Sequence, residues 1–145
     1  MSQNKPIIIK DQQQLEKCFL VLKELRPHLD KESYLNIYEN AHRMDDYNII
    51  AIEDNGNILA LMGYRILYDF VRGRHLYIDD LITTELARSQ GLGSELLSHA
   101  EFLAKELNCN SLRLSTGLEN NKAMKFYERH GWVQRTVSYI KKLNN

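Results

Sequence analysis

Two stretches of this chain carry residue types suited to acid–base chemistry and to anion binding. The first is a pair of adjacent carboxylates, Asp79 and Asp80, in a strand-like run over residues 76–83. Aspartate is depleted in strands, and burying an unpaired carboxylate is costly, so at least one of the pair is predicted to belong to a site. The alternative is that one aspartate merely pairs with a nearby arginine. Successive strand residues point to opposite faces, so only one of them faces a substrate unless a bulge intervenes.

The second stretch is a loop with two glycines, directly before a helical pattern. Its residues are Arg88, Ser89, Gln90, Gly91, Leu92, Gly93 and Ser94. A strand, a glycine loop and a helix together aim free backbone N–H groups at an anion, and glycine lets the backbone come close to it. The loop lacks the third glycine of the dinucleotide fingerprint and the Gly-Lys-Ser/Thr of the P-loop. Taken alone, it also fits an ordinary strand-to-helix turn.

A second block downstream changes that interpretation. It runs Asn120-x-x-Ala123-x-x-Phe126-Tyr127 and is followed by Gly131-Trp132. This block and Arg88-x-x-Gly91-x-Gly93 resemble, in order and separation, the two signature blocks of the GNAT superfamily of N-acetyltransferases. With the strand before them, they cover about the C-terminal half of the chain. Two linked matches are much more specific than either one.

The resemblance implies an acetyl-CoA-dependent N-acetyltransferase, which moves an acetyl group to a primary amine of a small molecule or peptide by direct transfer in a ternary complex. It implies no metal. The loop amides would cradle the cofactor's pyrophosphate, and a backbone N–H near Leu81 or Ile82 would stabilise the developing oxyanion. The residues predicted to bind acetyl-CoA are Leu81, Ile82, Thr83, Arg88, Ser89, Gln90, Gly91, Leu92, Gly93, Ser94, Asn120 and Tyr127. Asn120 is also predicted to cap a short helix.

The resemblance also implies catalytic roles. Polyamine-type relatives carry Glu-Asp where this chain has Asp79-Asp80, and the first acid is the base; the shorter Asp79 favours a bridging water. Tyr127 would protonate the departing thiolate, although its plain interpretation is a core aromatic residue. Reference pKa values of about 8.5 for a thiol and about 10 for tyrosine make that transfer mildly uphill. Tyr34 and Tyr38 lie on an apolar helical stripe typical of a core, in a region that lines the acceptor site of the family.

The elements that must position these residues follow from periodicity. The hydrophobic pattern and the turn signals predict the order β-α-α-β-β-β-α-β-α-β, in which the last strand covers residues 133–141. Asp11, Asp30 and Asn120 are predicted to cap helices. Asn55-Gly56 predicts a hairpin turn, and Gly63 a bulge or a close backbone approach. We therefore predict an α/β (α+β) fold, with a mixed, mostly antiparallel central sheet and helices on both faces. The resemblance implies a sheet that splays between the strand before the glycine loop and the strand after its helix, with the cofactor bound in the gap.

Length and composition limit the number of domains and the kinds of partner that we expect. The 145 residues predict a single domain, 1–145, with a loose polar start over residues 1–5. Lys plus Arg and Asp plus Glu are 19 each, so no charge footprint predicts a nucleic-acid or membrane partner. Cys18 and Cys109 lack metal-ligand spacing and are typical of reduced cytoplasmic thiols. Many members of the family are dimers, so a homodimer is among the expectations. The rival function is a non-catalytic acyl-CoA-binding module, and the sequence does not identify the acceptor.

Overall fold

The protein contains a five-stranded mixed sheet with helices on both faces, as seen in a computed structural model that describes residues 4–144. The strands lie in the order β1-β2-β3-β4-β5, antiparallel except for the last pair. This arrangement confirms the predicted fold class, and the elements from β1 to α4 follow the predicted order. The loose start predicted for residues 1–5 lies mostly outside the described residues.

The first strand and two helices precede the main part of the sheet. Strand β1 is Ile7–Ile8, helix α1 is Gln12–Leu25 and helix α2 is Lys31–Asp45. Both predicted N-caps are present. Asp11 accepts from the backbone N–H groups of Gln13 and Gln14, and Asp30 accepts from that of Ser33 at 2.8 Å. Each cap satisfies backbone donors that the helix itself leaves without a partner.

Strands β2, Asn48–Asp54, and β3, Asn57–Asp69, form the predicted hairpin. Its turn has positive φ at Asn55 (50°) and Gly56 (79°), as a two-residue turn of this kind requires. Strand β2 is buried on both sides. Ile49 and Ala51 join the apolar cluster of α1 and α2, and the alternation sends Ile50 to the other face, where α3 packs.

Strand β4, Gly73–Thr83, interrupts its pairing with β3 at the acidic pair. Gly63 lies opposite Asp80, but the next residue, Tyr64, lies opposite Ile78, so Asp79 has no partner in the register. This is a β-bulge, in which one extra residue bends the strand and breaks the alternation of its side chains. The prediction that Gly63 marks a bulge or a close approach is confirmed.

The segment after β4 forms a crossover to a parallel strand. A 3-10 turn, Glu85–Ala87, leads through the glycine loop into helix α3, Leu92–Glu106. Leu92, Leu96 and Ala100 lie on its buried stripe, and Asn108 adopts a left-handed conformation just after the helix, with φ 59°. Strand β5, Ser111–Leu114, then pairs with β4 only from His75 to Ile78.

The chain divides into two compact units, Met1–Leu114 and Ser115–Asn145. The second contains helix α4, Asn121–Arg129, with Gly131 (φ 88°) just after it. The last strand, predicted over residues 133–141, is not formed: residues 133–144 carry no strand, and Val133, Val137 and Tyr139 are exposed. Alternation predicts which side chains share a face, but a strand also needs an edge to pair with, and this segment pairs with none in the described residues. The prediction of a single domain stays a prediction.

Candidate active site

Asp79 is held by an arginine from the neighbouring strand. Arg65 of β3 donates from Nε to Oδ2 at 2.9 Å and from Nη2 to Oδ1 at 2.8 Å, a two-bond geometry that fixes the carboxylate plane. Arg65 also approaches Asp45 at the end of α2, with Nη1 to Oδ2 at 3.6 Å. Burial raises the pKa of Asp79 despite the arginine bonds, and the charge of Asp80 adds to this effect. A carboxyl group with a raised pKa is better matched to proton transfer.

Asp80 is held by two side chains that come from other parts of the fold. Arg26, the residue that ends α1, donates to Oδ1 from Nε at 3.2 Å and from Nη2 at 3.1 Å. Tyr47, just before β2, donates from its hydroxyl to Oδ2 at 2.8 Å. Each of the two aspartates therefore pairs with an arginine.

The bulge changes how the acidic pair is understood. Simple alternation places Asp79 and Asp80 on opposite faces, but the extra residue breaks that rule where they lie. Sequence reasoning missed all three of their partners: Arg26, Tyr47 and Arg65. The one available signal was Gly63, because a Cβ built there would lie 1.8 Å from the Tyr47 hydroxyl oxygen.

Beyond the bulge, β4 has an open side. Its pairing with β5 ends at Ile78, so residues 80–83 are paired only with β3 among the described residues. The Thr84 N–H donates to Leu59 O at 2.8 Å, which makes Thr84 and Leu59 a hydrogen-bonded pair. Hydrogen-bonded pairs alternate along an antiparallel ladder, so the N–H groups of Leu81 and Thr83 face the open side and that of Ile82 faces β3. Between the two predicted oxyanion donors, this geometry favours Leu81.

The glycine loop forms the start of α3. Gly91 is the N-cap residue with φ 77°, and the ladder of the helix begins with the Glu95 N–H donating to Gly91 O at 3.0 Å. The amides of Leu92 and Gly93 therefore precede the ladder, and the N-cap residue, a glycine, has no side chain to cap them. Apart from the neighbours of Gly91 in the chain, no atom of residues 4–144 lies within 4 Å of a Cβ built on this glycine, so the approach is unobstructed. An open depression beside it is lined by Pro6, Gly91, Ser94, Glu95, Ser98 and His99.

The remaining loop residues directly precede this helix start in the chain. Arg88, Ser89 and Gln90 are exposed, and Ser89 has a positive φ of 69°. An uncapped helix N-terminus and an arginine form a donor set that fits an anionic ligand such as a pyrophosphate. The open side of β4 supplies backbone groups that an extended amide-containing arm could pair with. The described residues thus fit the acetyl-CoA that the sequence predicts.

Tyr127 and Asn120 belong to the second unit. Asn120 caps α4, with its Oδ1 accepting from the Ala123 N–H at 3.1 Å, as predicted. Tyr127 is half-buried, and its ring lies 5.4 Å from that of Phe126 and 5.9 Å from that of Trp132. A tyrosine of ordinary pKa, about 10, is already protonated at neutral pH, and burial raises the pKa of Tyr127 further. That is the protonation state required of an acid, and the higher pKa makes the transfer to a thiolate more uphill.

The two tyrosines predicted near an acceptor differ in exposure. Tyr34 lies in the core, 3% exposed, and donates to Leu15 O at 2.6 Å. Tyr38 is half-buried, stacks on His42 and meets the edge of Tyr47, with ring centroids 5.5 and 6.1 Å apart. Their assignment to an acceptor site stays a prediction, which the exposure favours for Tyr38.

The described residues offer no candidate for a metal site or a membrane span. Across residues 4–144, no group of three or more His, Cys, Asp or Glu side chains is arranged to hold a metal ion. Within the same residues, no helix combines the length and the apolar character needed to cross a bilayer.

Similar proteins agree with this geometry. The acetyltransferase (GNAT) family model matches residues 12–132. The uncharacterized N-acetyltransferase YhdJ of Bacillus subtilis is 35% identical over 111 residues, which is 77% of this chain and 78% of that protein. The aminoalkylphosphonate N-acetyltransferase of Salmonella typhimurium is 25% identical over 128 residues, covering 86% and 81%. The solved structure of AAC(6')-Iy with the bisubstrate analog CoA-S-monomethyl-acetylneamine superposes with a TM-score of 0.82 at 18% identity, covering 98% of this chain and all of that one.

The family model covers the interrupted fourth strand and the glycine loop before α3, so these elements belong to an acyl-transfer domain. The chain belongs to the acetyltransferase (GNAT) family, as the family model and the similarity to YhdJ show, and it is an N-acetyltransferase. The family resemblance seen in the sequence is thereby confirmed. Membership favours the enzyme over the non-catalytic binding module.

Proposed function

We propose that this protein transfers an acetyl group from acetyl-CoA to a primary amine of a small molecule or peptide, by direct transfer while both substrates are bound. The observation that carries the proposal is the acidic pair at the β4 bulge, next to a strand edge whose amides are open. The aminoalkylphosphonate N-acetyltransferase, named for an amine acceptor, supports it. Bound acetyl-CoA supplies the thioester from which the acetyl group is taken.

Asp79 takes the proton that the attacking amine must lose. Arg65 donates one hydrogen bond to each carboxylate oxygen of Asp79. An ionised carboxylate can accept about four hydrogen bonds, so a water can still bind to it. Asp79 is 23% exposed at its side chain, which leaves access for that water. The base therefore acts through a bridging water, as the short aspartate side chain suggests.

The other two roles fall to Leu81 and Tyr127. The Leu81 N–H, on the open side of β4, donates to the thioester oxygen as negative charge develops there. As the new nitrogen–carbon bond forms and the carbon–sulfur bond breaks, Tyr127 gives its proton to the departing sulfur. Arg88 and the first amides of α3 hold the pyrophosphate.

Calorimetric titration with acetyl-CoA tests the cofactor assignment. Gly93→Val places a branched side chain among the first amides of α3, and we expect binding to be lost while the protein stays folded by circular dichroism. Glu101→Val is the matched control, because it adds the same side chain at an exposed position of the same helix, away from its start. Wild-type affinity in folded Gly93→Val would overturn the assignment of the loop.

A further inference from the structure

Asp80 is held by residues that its own sequence neighbourhood does not supply. Arg26 lies 54 positions away and Tyr47 lies 33 positions away, yet together they give the carboxylate three hydrogen bonds of 2.8–3.2 Å. The Asp80 side chain is only 14% exposed. Charged groups make stronger hydrogen bonds than neutral ones, so this arrangement fixes the carboxylate firmly.

Arg26 also holds the backbone of the bulge. Its Nη2 donates to the Asp79 carbonyl oxygen at 3.1 Å, in addition to its bonds with Asp80. A bulge leaves backbone groups out of the strand ladder, and such groups need other partners. Arg26 therefore connects both residues of the bulge, the main chain of one and the side chain of the other, to the end of α1.

Tyr47 can reach Asp80 only because the residue beside it is glycine. A Cβ built on Gly63 would lie 1.8 Å from the Tyr47 hydroxyl oxygen and 2.5 Å from its Cζ. Tyr47 is 9% exposed, and burial together with the charge of Asp80 raises its pKa well above the ordinary value, so the hydroxyl remains a donor. The ring is thus fixed in one place, with its proton directed at the carboxylate.

The two aspartates differ in how many further hydrogen bonds their carboxylates can accept. Asp80 accepts three bonds from two partners, which fills most of its positions, whereas Asp79 accepts two bonds from one arginine. Asp79 is also the more exposed of the two side chains, at 23% against 14%. Of the pair, Asp79 has the room to exchange a proton with a substrate or a water.

We propose that Tyr47 and Arg26 are positioning residues for acetyl transfer: they act through Asp80 to hold the β4 bulge, while Asp79 serves as the base. This group of Tyr47, Arg26, Asp80 and the glycine that admits the tyrosine, Gly63, is called the bulge clamp. It keeps Asp79 and the Leu81 amide in fixed relative positions along β4. The inference rests on the proposed function, because it assigns these residues a part in that reaction.

Tyr47→Phe tests the clamp, with Tyr64→Phe as the matched control. Tyr64 is also a buried tyrosine, and the three hydrogen bonds described for Asp80 come from Arg26 and Tyr47, so Tyr64→Phe removes a hydroxyl but none of these bonds. We expect Tyr47→Phe to lower kcat by about 10–100-fold, the effect of a small misplacement of reacting groups. KM for the amine should change little, and the acid limb of the pH profile should remain, because Asp79 is intact. Tyr64→Phe should keep kcat within about twofold.

A double-mutant cycle separates this role from a general loss of stability. In an Asp80→Asn background, Tyr47→Phe should cost little further kcat, because both changes break the same hydrogen bond. Arg26→Gln should also lower kcat; Arg26 is 42% exposed, so this variant keeps the test available if Tyr47→Phe does not fold. All assays are run well below each variant's measured unfolding temperature.

The outcomes distinguish this inference from the proposed function. If the wild type releases no CoA with any amine, the proposed function fails and the positioning role fails with it. If the wild type turns over and Tyr47→Phe matches Tyr64→Phe in kcat, only the positioning role is overturned. Loss of the acid limb in Asp80→Asn, with the limb kept in Asp79→Asn, would show Asp80 to be the base and would also overturn it.

Discussion

Replacing Gly63 by alanine should be among the most damaging single-methyl changes in this protein. The added Cβ would lie 1.8 Å from the Tyr47 hydroxyl oxygen, 2.5 Å from Cζ and 2.7 Å from Cε1, all far inside van der Waals contact. Gly63 is not among the glycines with positive φ, so the effect would not come from backbone strain. The ring must move, although it is buried and bonded to Asp80.

The expected cost has two parts. Overfilling a packed site costs about 1–3 kcal/mol. Losing a hydrogen bond to a charged acceptor costs about 1.5–3 kcal/mol. We therefore expect Gly63→Ala to lower the free energy of unfolding by about 2.5–6 kcal/mol, a large share of the stability of a typical domain. Without the clash, glycine to alanine would be neutral or stabilising by about 0.4–1 kcal/mol, so even the sign tests the structure.

Urea denaturation of four proteins measures this effect: the wild type, Gly63→Ala, Tyr47→Leu and the double variant. Leucine is too short to reach the new methyl, so Gly63→Ala should cost less than about 1 kcal/mol in the Tyr47→Leu background. Gly117→Ala is the control, because its Cβ would meet only the end of the flexible Glu119 side chain, at 3.3 Å. An equal cost of Gly63→Ala in both backgrounds, or no cost in the wild type, would refute the reasoning.

Four further outcomes are expected. Tyr127→Phe should lower the rate of CoA release by about 10²–10⁴-fold with acetyl-CoA affinity kept, and full activity would remove its assignment as the acid. Burial raises the pKa of Asp79, so the acid limb of kcat/KM, the pH range in which the base becomes protonated and inactive, should lie above the ordinary aspartate range. Asp79→Asn should lose that limb and recover part of its rate at high pH. An acid limb that is unchanged in this variant would contradict the assignment of Asp79 as the base. The formal net charge is zero, so binding to DNA or RNA should be undetectable at physiological salt. A tight complex that weakens steeply as salt rises would contradict this expectation. Light scattering should give twice the mass of the chain if the expected homodimer forms, whereas the mass of one chain would rule it out.

Features with local causes were predictable from the sequence. The caps at Asp11, Asp30 and Asn120 act on amides two or three positions away, and the Asn55–Gly56 turn needs only its own two residues. The crossover from β4 through α3 to a parallel β5 follows from the order of the patterns. The glycine loop was recognisable because its two glycines themselves indicate a close approach of the backbone to a ligand.

The partners of the acidic pair were not predictable, because they depend on register and packing across the fold. The pleat argument assigns side chains to faces only while pairing is regular, and one extra residue at Asp79 cancels it. Nothing near position 80 in the sequence indicates Arg26 or Tyr47. The missing final strand has a similar cause, since alternation over residues 133–141 does not show whether an edge is present to pair with.

The most direct test of the central claim is a CoA-release assay with a panel of primary amines, read together with the mass of each amine afterwards. The panel should include aminoalkylphosphonates, amino acids, polyamines, aminoglycosides and peptides. We predict that at least one amine stimulates CoA release and gains one acetyl group for each CoA formed. Tight acetyl-CoA binding with no amine acetylated in the whole panel would contradict the claim and would indicate the non-catalytic acyl-CoA-binding module instead.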